Sequence, residues 1–248
     1  MKIAVSGKGG VGKTTISASI ARHLRDQGYQ VYAIDADPDA NLAQVLGIKE
    51  KVKPLVELED VIAEKVGKKG SFYSLNPKVD DVVEDYSLVQ DGIRFLRMGG
   101  IKKASSGCYC PENSFLNSIM RSLVFSRDEA VILDMGAGIE HLTRGTSAGV
   151  DIMLIICEAS QVSLETARTI ENLAREGGVK TIKFIANKVR SEKEEEFLKR
   201  KFTDDELLGI IPYSEELVLQ GISENGDSGL LTAEIARLFA KLKLENNQ

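Results

Sequence analysis

The chain has 248 residues, of which 43% are hydrophobic and 28% are charged. These values allow one large α/β domain with a full core over residues 1–248, and they argue against a second domain. The net charge of −5, with no basic tract, argues against a nucleic-acid-binding protein. Three cysteines do not suggest a disulfide scaffold. No apolar run is long enough to span a membrane and the first predicted strand leaves no room for a signal peptide, so we expect a cytoplasmic protein without a stable membrane anchor.

A glycine-rich loop joins the first predicted strand to the first predicted helix. The strand is the apolar run at residues 3–5, and residues 14–27 have the apolar periodicity of a helix. Between them, G-K-G-G-V-G-K-T-T at residues 7–15 matches the triphosphate-binding pattern G-x-x-x-x-G-K-[ST]. The glycines let backbone amides close around phosphate oxygens, and the helix dipole favours the same anion. The nucleotide-binding residues predicted here are Gly9, Gly10, Val11, Gly12, Lys13, Thr14 and Thr15.

The side chains of this loop have separate predicted roles. Lys13 supplies a cation to the β and γ phosphates, Thr14 offers its hydroxyl to Mg²⁺, and Thr15 reaches another phosphate oxygen. Lys8 is a second lysine, which the nucleotide's own phosphates do not need. The form K-G-G-V-G-K-T-T resembles the deviant Walker A loop of the ATPase group that contains MinD, ParA and the nitrogenase iron protein. This resemblance implies that Lys8 reaches the phosphates of a partner subunit and so links ATP binding to dimerisation.

The second predicted strand, residues 31–34, ends in an acidic turn, D-A-D-P-D-A-N at residues 35–41. Carboxylates at the carboxyl end of a parallel strand face the ligand crevice. The pattern D-x-D-P-x-x-N resembles switch I of the same ATPase group. The resemblance implies that Asp37 orients or deprotonates the attacking water. It also implies that Asp35 contacts a ligand of Mg²⁺ and not the ion itself. The following segment, residues 49–91, contains no motif.

Two of the three cysteines, Cys108 and Cys110, stand two residues apart before a helix predicted at residues 115–125. In an extended segment, side chains at i and i+2 point to the same side, so both sulfurs can bind one ion. Two thiolates do not complete a tetrahedral or square-planar coordination sphere. A symmetric dimer would bring two such pairs together and supply four.

A third predicted strand, the apolar run at residues 129–134, ends in a single carboxylate, Asp134. We expect Asp134 to hold Mg²⁺ through water. The next residues resemble switch II, which implies that the amide of Gly136 contacts the γ-phosphate and moves when that phosphate leaves. His141 follows, and a lone histidine here is more often a loop hydrogen-bonding residue than a catalyst or ligand.

Residues 151–157 and 181–186 read as buried strands with a helix at 164–176 between them. Asn187-Lys188-Val189-Arg190 then resembles the base-binding corner of P-loop proteins, which implies that Asn187 contacts the adenine edge. Arg190 replaces the aspartate of guanine-specific versions and favours ATP over GTP. Another predicted strand ends at Pro212, whose turn packs against the base in the same ATPase group. Cys157, within an apolar strand, is expected to be a buried small hydrophobic residue.

From residue 1 to about residue 212, the combined motifs resemble the CooC group, nickel-insertion ATPases for carbon monoxide dehydrogenase. The motifs that separate this group are G-C-Y-C at residues 107–110, F-L-N at 115–117 and the long switch II stretch at 134–145. The resemblance implies a homodimeric Mg-ATPase that hydrolyses ATP to ADP and phosphate, with Lys8, Lys13 and Asp37 as its catalytic residues. It also implies Ni²⁺ or Zn²⁺ between the Cys108 and Cys110 pairs of two subunits, and carbon monoxide dehydrogenase as the acceptor.

Three other functions of P-loop ATPases require sequence features that can be compared with this chain. An electron carrier like the nitrogenase iron protein needs a cysteine beside switch II, and residues 135–138 contain none. An iron–sulfur cluster carrier stays open, because thiolates shared across a dimer could hold a cluster. A MinD-like membrane regulator needs an amphipathic C-terminal helix, and we expect the apolar stripe at residues 231–242 to pack on the domain instead, since its basic character is modest.

Overall fold

The computed structural model describes residues 1–67, 74, 77–99, 111–123, 128–137, 150–222 and 231–245. The strands of this part are β1 Lys2–Gly7, β2 Gln30–Ala36, β3 Leu88–Gln90, β4 Ile93–Arg97, β5 Glu129–Met135, β6 Ile152–Cys157, β7 Thr181–Val189 and β8 Leu207–Pro212. The helices are α1 Lys13–Asp26, α2 Leu42–Val45, α3 Glu59–Lys65, α4 Asp80–Tyr86, α5 Pro111–Ser122, α6 Gln161–Glu176, α7 Glu192–Lys201, α8 Glu215–Ile222 and α9 Thr232–Glu245. None of these helices combines the length and apolar composition that crossing a membrane requires.

The strands form one sheet in the order β3-β4-β2-β5-β1-β6-β7-β8. Neighbouring strands are parallel except β3, which runs antiparallel to β4 at the edge. The chain places β2 to β5 on one side of β1 and then β6 to β8 on the other, so a crevice is expected beside β1, where the strand order reverses. Because they are parallel, β1, β2, β5, β6 and β7 have their carboxyl ends along the same side of the sheet, where this crevice lies. The mostly parallel α/β sheet confirms the predicted fold class.

Helices cover both faces of the sheet and bury two apolar clusters. One cluster lies beneath α1, α2 and α9, and it includes the predicted α1 stripe Ile16, Ile20 and Leu24. The other lies beneath α3 to α7. The C-terminal stripe Leu231, Ile235, Leu238, Phe239 and Leu242 is buried, and α9 contacts α1 and β8. This confirms that the stripe packs on the domain.

The structure adds elements that the sequence patterns did not predict. Residues 49–91, which contain no motif, include helices α3 and α4 and the edge strand β3. A two-residue turn joins β3 to β4 with φ of 48° at Asp91 and 77° at Gly92, the values that a type I′ hairpin requires. Helix α5 begins at Pro111, four residues earlier than predicted, since proline is favourable in the first helical turn.

Candidate nucleotide-binding site

The glycine-rich loop runs from the end of β1 into the first turn of α1. The amide of Val11 donates to the carbonyl of Lys8 at 3.4 Å, and Gly10 has a φ of 84° within this turn. Gly12 caps α1 with a φ of 95°, and its carbonyl accepts the first helical hydrogen bond from Ile16. The amides of the first helical turn have no partner within the helix, so this end of α1 favours an anion. The geometry is that of the predicted triphosphate loop.

Two consecutive residues at the end of β7 hold the carbonyls of this loop. The side-chain amide of Asn187 donates to the Val11 carbonyl at 2.7 Å, and Asn187 is buried. The ammonium of Lys188 donates to the Gly10 carbonyl at 2.5 Å. Both side chains therefore contact the phosphate loop itself. The expected contact of Asn187 with adenine and the expected part of Lys188 in nucleotide binding stay predictions.

Asp35 and Asp134 are register partners on β2 and β5, and both are almost completely buried. The two carboxylate oxygens of Asp35 accept hydrogen bonds from the amides of Asp37 and Leu42. Burial nevertheless raises the pKa of Asp35 to about 7, and the nearby charge of Asp134 adds to the shift. Asp35 therefore braces the acidic turn after β2 rather than facing solvent.

The tip of β5 has the donor set that a hard divalent cation needs. Burial raises the pKa of Asp134 to about 6, while the hydroxyls of Thr14 and Ser17 and the charge of Lys13 oppose this shift. Ser17 donates to Oδ1 of Asp134 at 3.0 Å, and the buried Oδ2 has no hydrogen-bond partner among the described residues. Oxygen donors of this kind suit Mg²⁺. Thr14 and Asp134 thus fit the magnesium site that the sequence predicts.

Lys13 and Asp37 face each other across the site. Lys13 Nζ lies 3.6 Å from Asp37 Oδ2, and the two side chains are only 8% and 12% exposed. A Cβ added to Gly136 would lie 3.6 Å from the same carboxylate oxygen, and the Gly136 carbonyl accepts a hydrogen bond from Ser6 at 2.8 Å. The catalytic candidates of the P-loop, switch I and the start of switch II therefore converge, which is what phosphoryl transfer requires.

The remaining predicted residues lie at or beyond the rim of the site. Lys8 is exposed on the loop, and Pro212 is exposed at the end of β8. The guanidinium of Arg190 lies 4.2 Å from the ring centre of Tyr213. Cys108, Cys110 and His141 lie outside the described residues, so their roles stay predictions. Cys157 is a free, buried cysteine whose pKa burial raises to about 12, as expected for a hydrophobic side chain.

Residues 2–225 match the model of the CobQ/CobB/MinD/ParA nucleotide-binding domain. The chain belongs to this family. The carbon monoxide dehydrogenase accessory protein CooC of Rhodospirillum rubrum is 43% identical over 224 residues, covering 88% of this chain and 85% of its own. An uncharacterised ATP-binding protein of Methanocaldococcus jannaschii is 42% identical over 225 residues, covering 88% and 87%. These relatives confirm the resemblance to the CooC group.

Solved structures with low sequence identity to this chain have a similar fold. A chain of the MinC:MinD cell division protein complex of Aquifex aeolicus has a TM-score of 0.67 at 22% identity, covering 98% of this chain and 95% of its own. A putative plasmid partition protein of Borrelia burgdorferi has a TM-score of 0.71 at 16% identity, covering 98% of each chain. At this identity the likeness shows the fold alone.

Two site residues of this family member were missed by sequence reasoning. Ser17 orients the Asp134 carboxylate, and Ser6 holds the carbonyl of Gly136. A signal existed for Ser17, because it lies four residues after Lys13 on the α1 face that turns toward the sheet. Ser6 had no such signal, since its partner is 130 residues away in the chain.

Proposed function

We propose that this chain is an ATP-dependent metallochaperone, a homodimerising Mg-ATPase that carries a transition metal to carbon monoxide dehydrogenase. The observation that supports it most strongly is the 43% identity to the carbon monoxide dehydrogenase accessory protein CooC across 88% of the chain. The cysteine pair at residues 108 and 110 adds a cargo site. Within one P-loop ATPase domain over residues 1–248, nucleotide state controls when the metal is held and when it is released.

ATP hydrolysis follows from the groups that converge at the carboxyl edge of the sheet. Lys13 binds the β and γ phosphates, and Thr14 and Asp134 hold Mg²⁺, which neutralises phosphate charge when bound. Asp37 is paired with Lys13 at 3.6 Å, and phosphate competes for that lysine and leaves the Asp37 carboxylate to orient a water. The water oxygen attacks the γ-phosphorus, the bond to the β–γ bridging oxygen breaks, and ADP and phosphate form. An Asp37→Asn variant should bind ATP but hydrolyse it slowly, and normal phosphate release would remove Asp37 from this role.

Dimerisation gives the nucleotide control over the metal. Lys8 is exposed, and its charge is best compensated when a second subunit presents phosphate. The same association brings two Cys108 and Cys110 pairs together and supplies four thiolates. A nickel or zinc ion bound there is the cargo of the reaction.

The decisive experiment is an anaerobic metal titration of the full chain in its nucleotide-free, ADP and ATP states. We expect one thiophilic divalent ion per dimer, with affinity that falls as pH falls, because the thiolates must be deprotonated. Changing Cys108 or Cys110 to Ser should cripple binding while ADP affinity survives. Cys157→Ala is the matched control, since this thiol is buried and its raised pKa keeps it protonated.

Other outcomes of the same titration would contradict the proposal. One ion per monomer, or binding that persists in the double Ser variant, would place the metal elsewhere. Iron and sulfide in equal amounts in the protein as isolated would favour an iron–sulfur cluster carrier instead. Metal without nucleotide should also promote association that a chelator reverses, because four thiolates from two chains clamp the dimer.

A further inference from the structure

Lys188 has an unusual backbone conformation at the end of β7. Its φ is 59°, and the pairing of β7 with β8 shifts register between Ala186 and Val189. A residue with a Cβ rarely adopts the left-handed region, which is unfavourable unless surrounding contacts enforce it. Here the conformation accompanies a side chain that contacts the Gly10 carbonyl at 2.5 Å.

The second partner of Lys188 is Glu158, the first residue after β6. Oε1 of Glu158 lies 2.9 Å from the Lys188 ammonium. The amide of Glu158 donates to the hydroxyl of Ser163 at 2.9 Å, and the amide of Ser163 donates to the hydroxyl of Ser160. These contacts anchor Glu158 to the first turn of α6. A chain of contacts therefore leads from α6 through Glu158 and Lys188 to the phosphate loop.

Global stability does not explain this pair. Glu158 and Lys188 are 37% and 40% exposed, and ion pairs at that exposure contribute little to folding. The pair instead bears on the loop turn that begins at Lys8. Lys188 contacts the carbonyl of Gly10, the third residue of this turn. Asn187 holds the next carbonyl, that of Val11, so the turn is fixed at two adjacent peptide groups.

We propose that Glu158 is a positioning residue for nucleotide binding. Its carboxylate holds the Lys188 ammonium on the Gly10 carbonyl, which keeps the loop turn in the phosphate-binding conformation. The inference deepens the proposed function and rests on its nucleotide site. Removing the negative charge of Glu158 should therefore weaken phosphate binding, although simple charge repulsion predicts the opposite.

The test compares ADP affinity in the presence of Mg²⁺ for the wild-type chain, Glu158→Gln, Lys188→Met and the double variant. Glu165→Gln is the control, because Glu165 is an exposed carboxylate on α6 and gives the same change in net charge. We expect Glu158→Gln to weaken ADP binding about 2- to 5-fold and Lys188→Met about 5- to 10-fold. The double variant should be no weaker than Lys188→Met, since Glu158 acts through that lysine. The melting temperatures of the nucleotide-free variants should match the control.

Four outcomes would overturn the inference. Tighter ADP binding by Glu158→Gln would show that its charge only repels phosphate. Additive losses in the double variant would show a direct contact with the nucleotide, and a reduced preference for ADP over 2′-deoxy-ADP would assign that contact to the ribose. A parallel fall in melting temperature would show a structural role. If the wild-type chain itself failed to bind ADP, the proposed function would fall first, whereas wild-type binding with an unchanged Glu158→Gln variant would remove this inference alone.

Discussion

A side chain at Gly12 should damage the phosphate loop in two separable ways. Gly12 has a φ of 95°, and a Cβ added there would lie 2.5 Å from the side-chain nitrogen of Asn187. Gly10 has a φ of 84° but no heavy atom within 4 Å of its added Cβ. An added Cβ at Gly9 would also meet nothing within 4 Å, and Gly9 lies outside the left-handed region. Alanine at the three positions therefore tests backbone strain and collision independently.

The magnitudes follow from these geometries. Gly9→Ala should stay within about 0.5 kcal/mol of wild type. Gly10→Ala should lose about 1–2 kcal/mol, the cost of a left-handed residue with a Cβ. Gly12→Ala adds the over-packing of Asn187, about 1–3 kcal/mol more, for a total of about 2–5 kcal/mol. In a chain of this size that total corresponds to a fall in melting temperature on the order of 10 °C.

Urea denaturation of the nucleotide-free protein measures these losses, and calorimetry measures the accompanying fall in ADP affinity. Replacing Asn187 with Ala in the Gly12→Ala background should recover the collision part, a coupling of about 1 kcal/mol or more. It should recover nothing in the Gly10→Ala background, where no collision exists. Equal losses at Gly9 and Gly12, or no coupling with Asn187, would refute this reasoning.

Lys13→Ala should abolish hydrolysis and remove the stabilisation by ATP, which is about 2.7 kcal/mol at 100-fold excess over Kd; an unchanged thermal shift with ATP would contradict the P-loop assignment. Lys8→Ala should still bind nucleotide but not dimerise with ATP, and a normal dimer in sedimentation would exclude its action across the interface. The Arg168 guanidinium lowers the pKa of Glu206 to about 2, so this pair stabilises the fold above pH about 4.5 and is lost as pH falls toward 2. Glu206→Gln should therefore melt below wild type at pH 7, with a difference that narrows in acid; a constant difference would contradict the pairing.

The sequence predicted the strands that carry the site because each is short, apolar and followed by a polar motif. β1, β2 and β5 end where Gly7, Asp35 and Asp134 were expected to meet the ligand crevice. Parallel strands bring such ends together, so motif order along the chain was enough to assemble the site. The edge hairpin was missed although Asp91-Gly92 is a strong turn signal, because β3 is only three residues long.

The contacts that hold the loop could not be predicted, since they depend on register and backbone conformation far along the chain. The sequence pattern places Asn187 and Lys188 in a base-binding corner, whereas their hydrogen bonds to Val11 and Gly10 span more than 170 residues. The left-handed conformation of Lys188 has no sequence signal, because lysine is not a residue that favours it. Glu158 belongs to no motif and becomes informative only through its partner.

Two features of the site suit the ligands that the phosphate loop predicts. Oδ2 of Asp134 is buried without a hydrogen-bond partner among the described residues, and Lys13 Nζ lies 3.6 Å from Asp37 Oδ2, longer than a strong charge-assisted hydrogen bond. Burial raises the pKa values of both Asp35 and Asp134, so a cation beside them would favour their ionised forms. A divalent cation would stabilise these carboxylates, and a phosphate would pair with Lys13. We therefore expect Mg²⁺ and nucleotide each to strengthen the binding of the other.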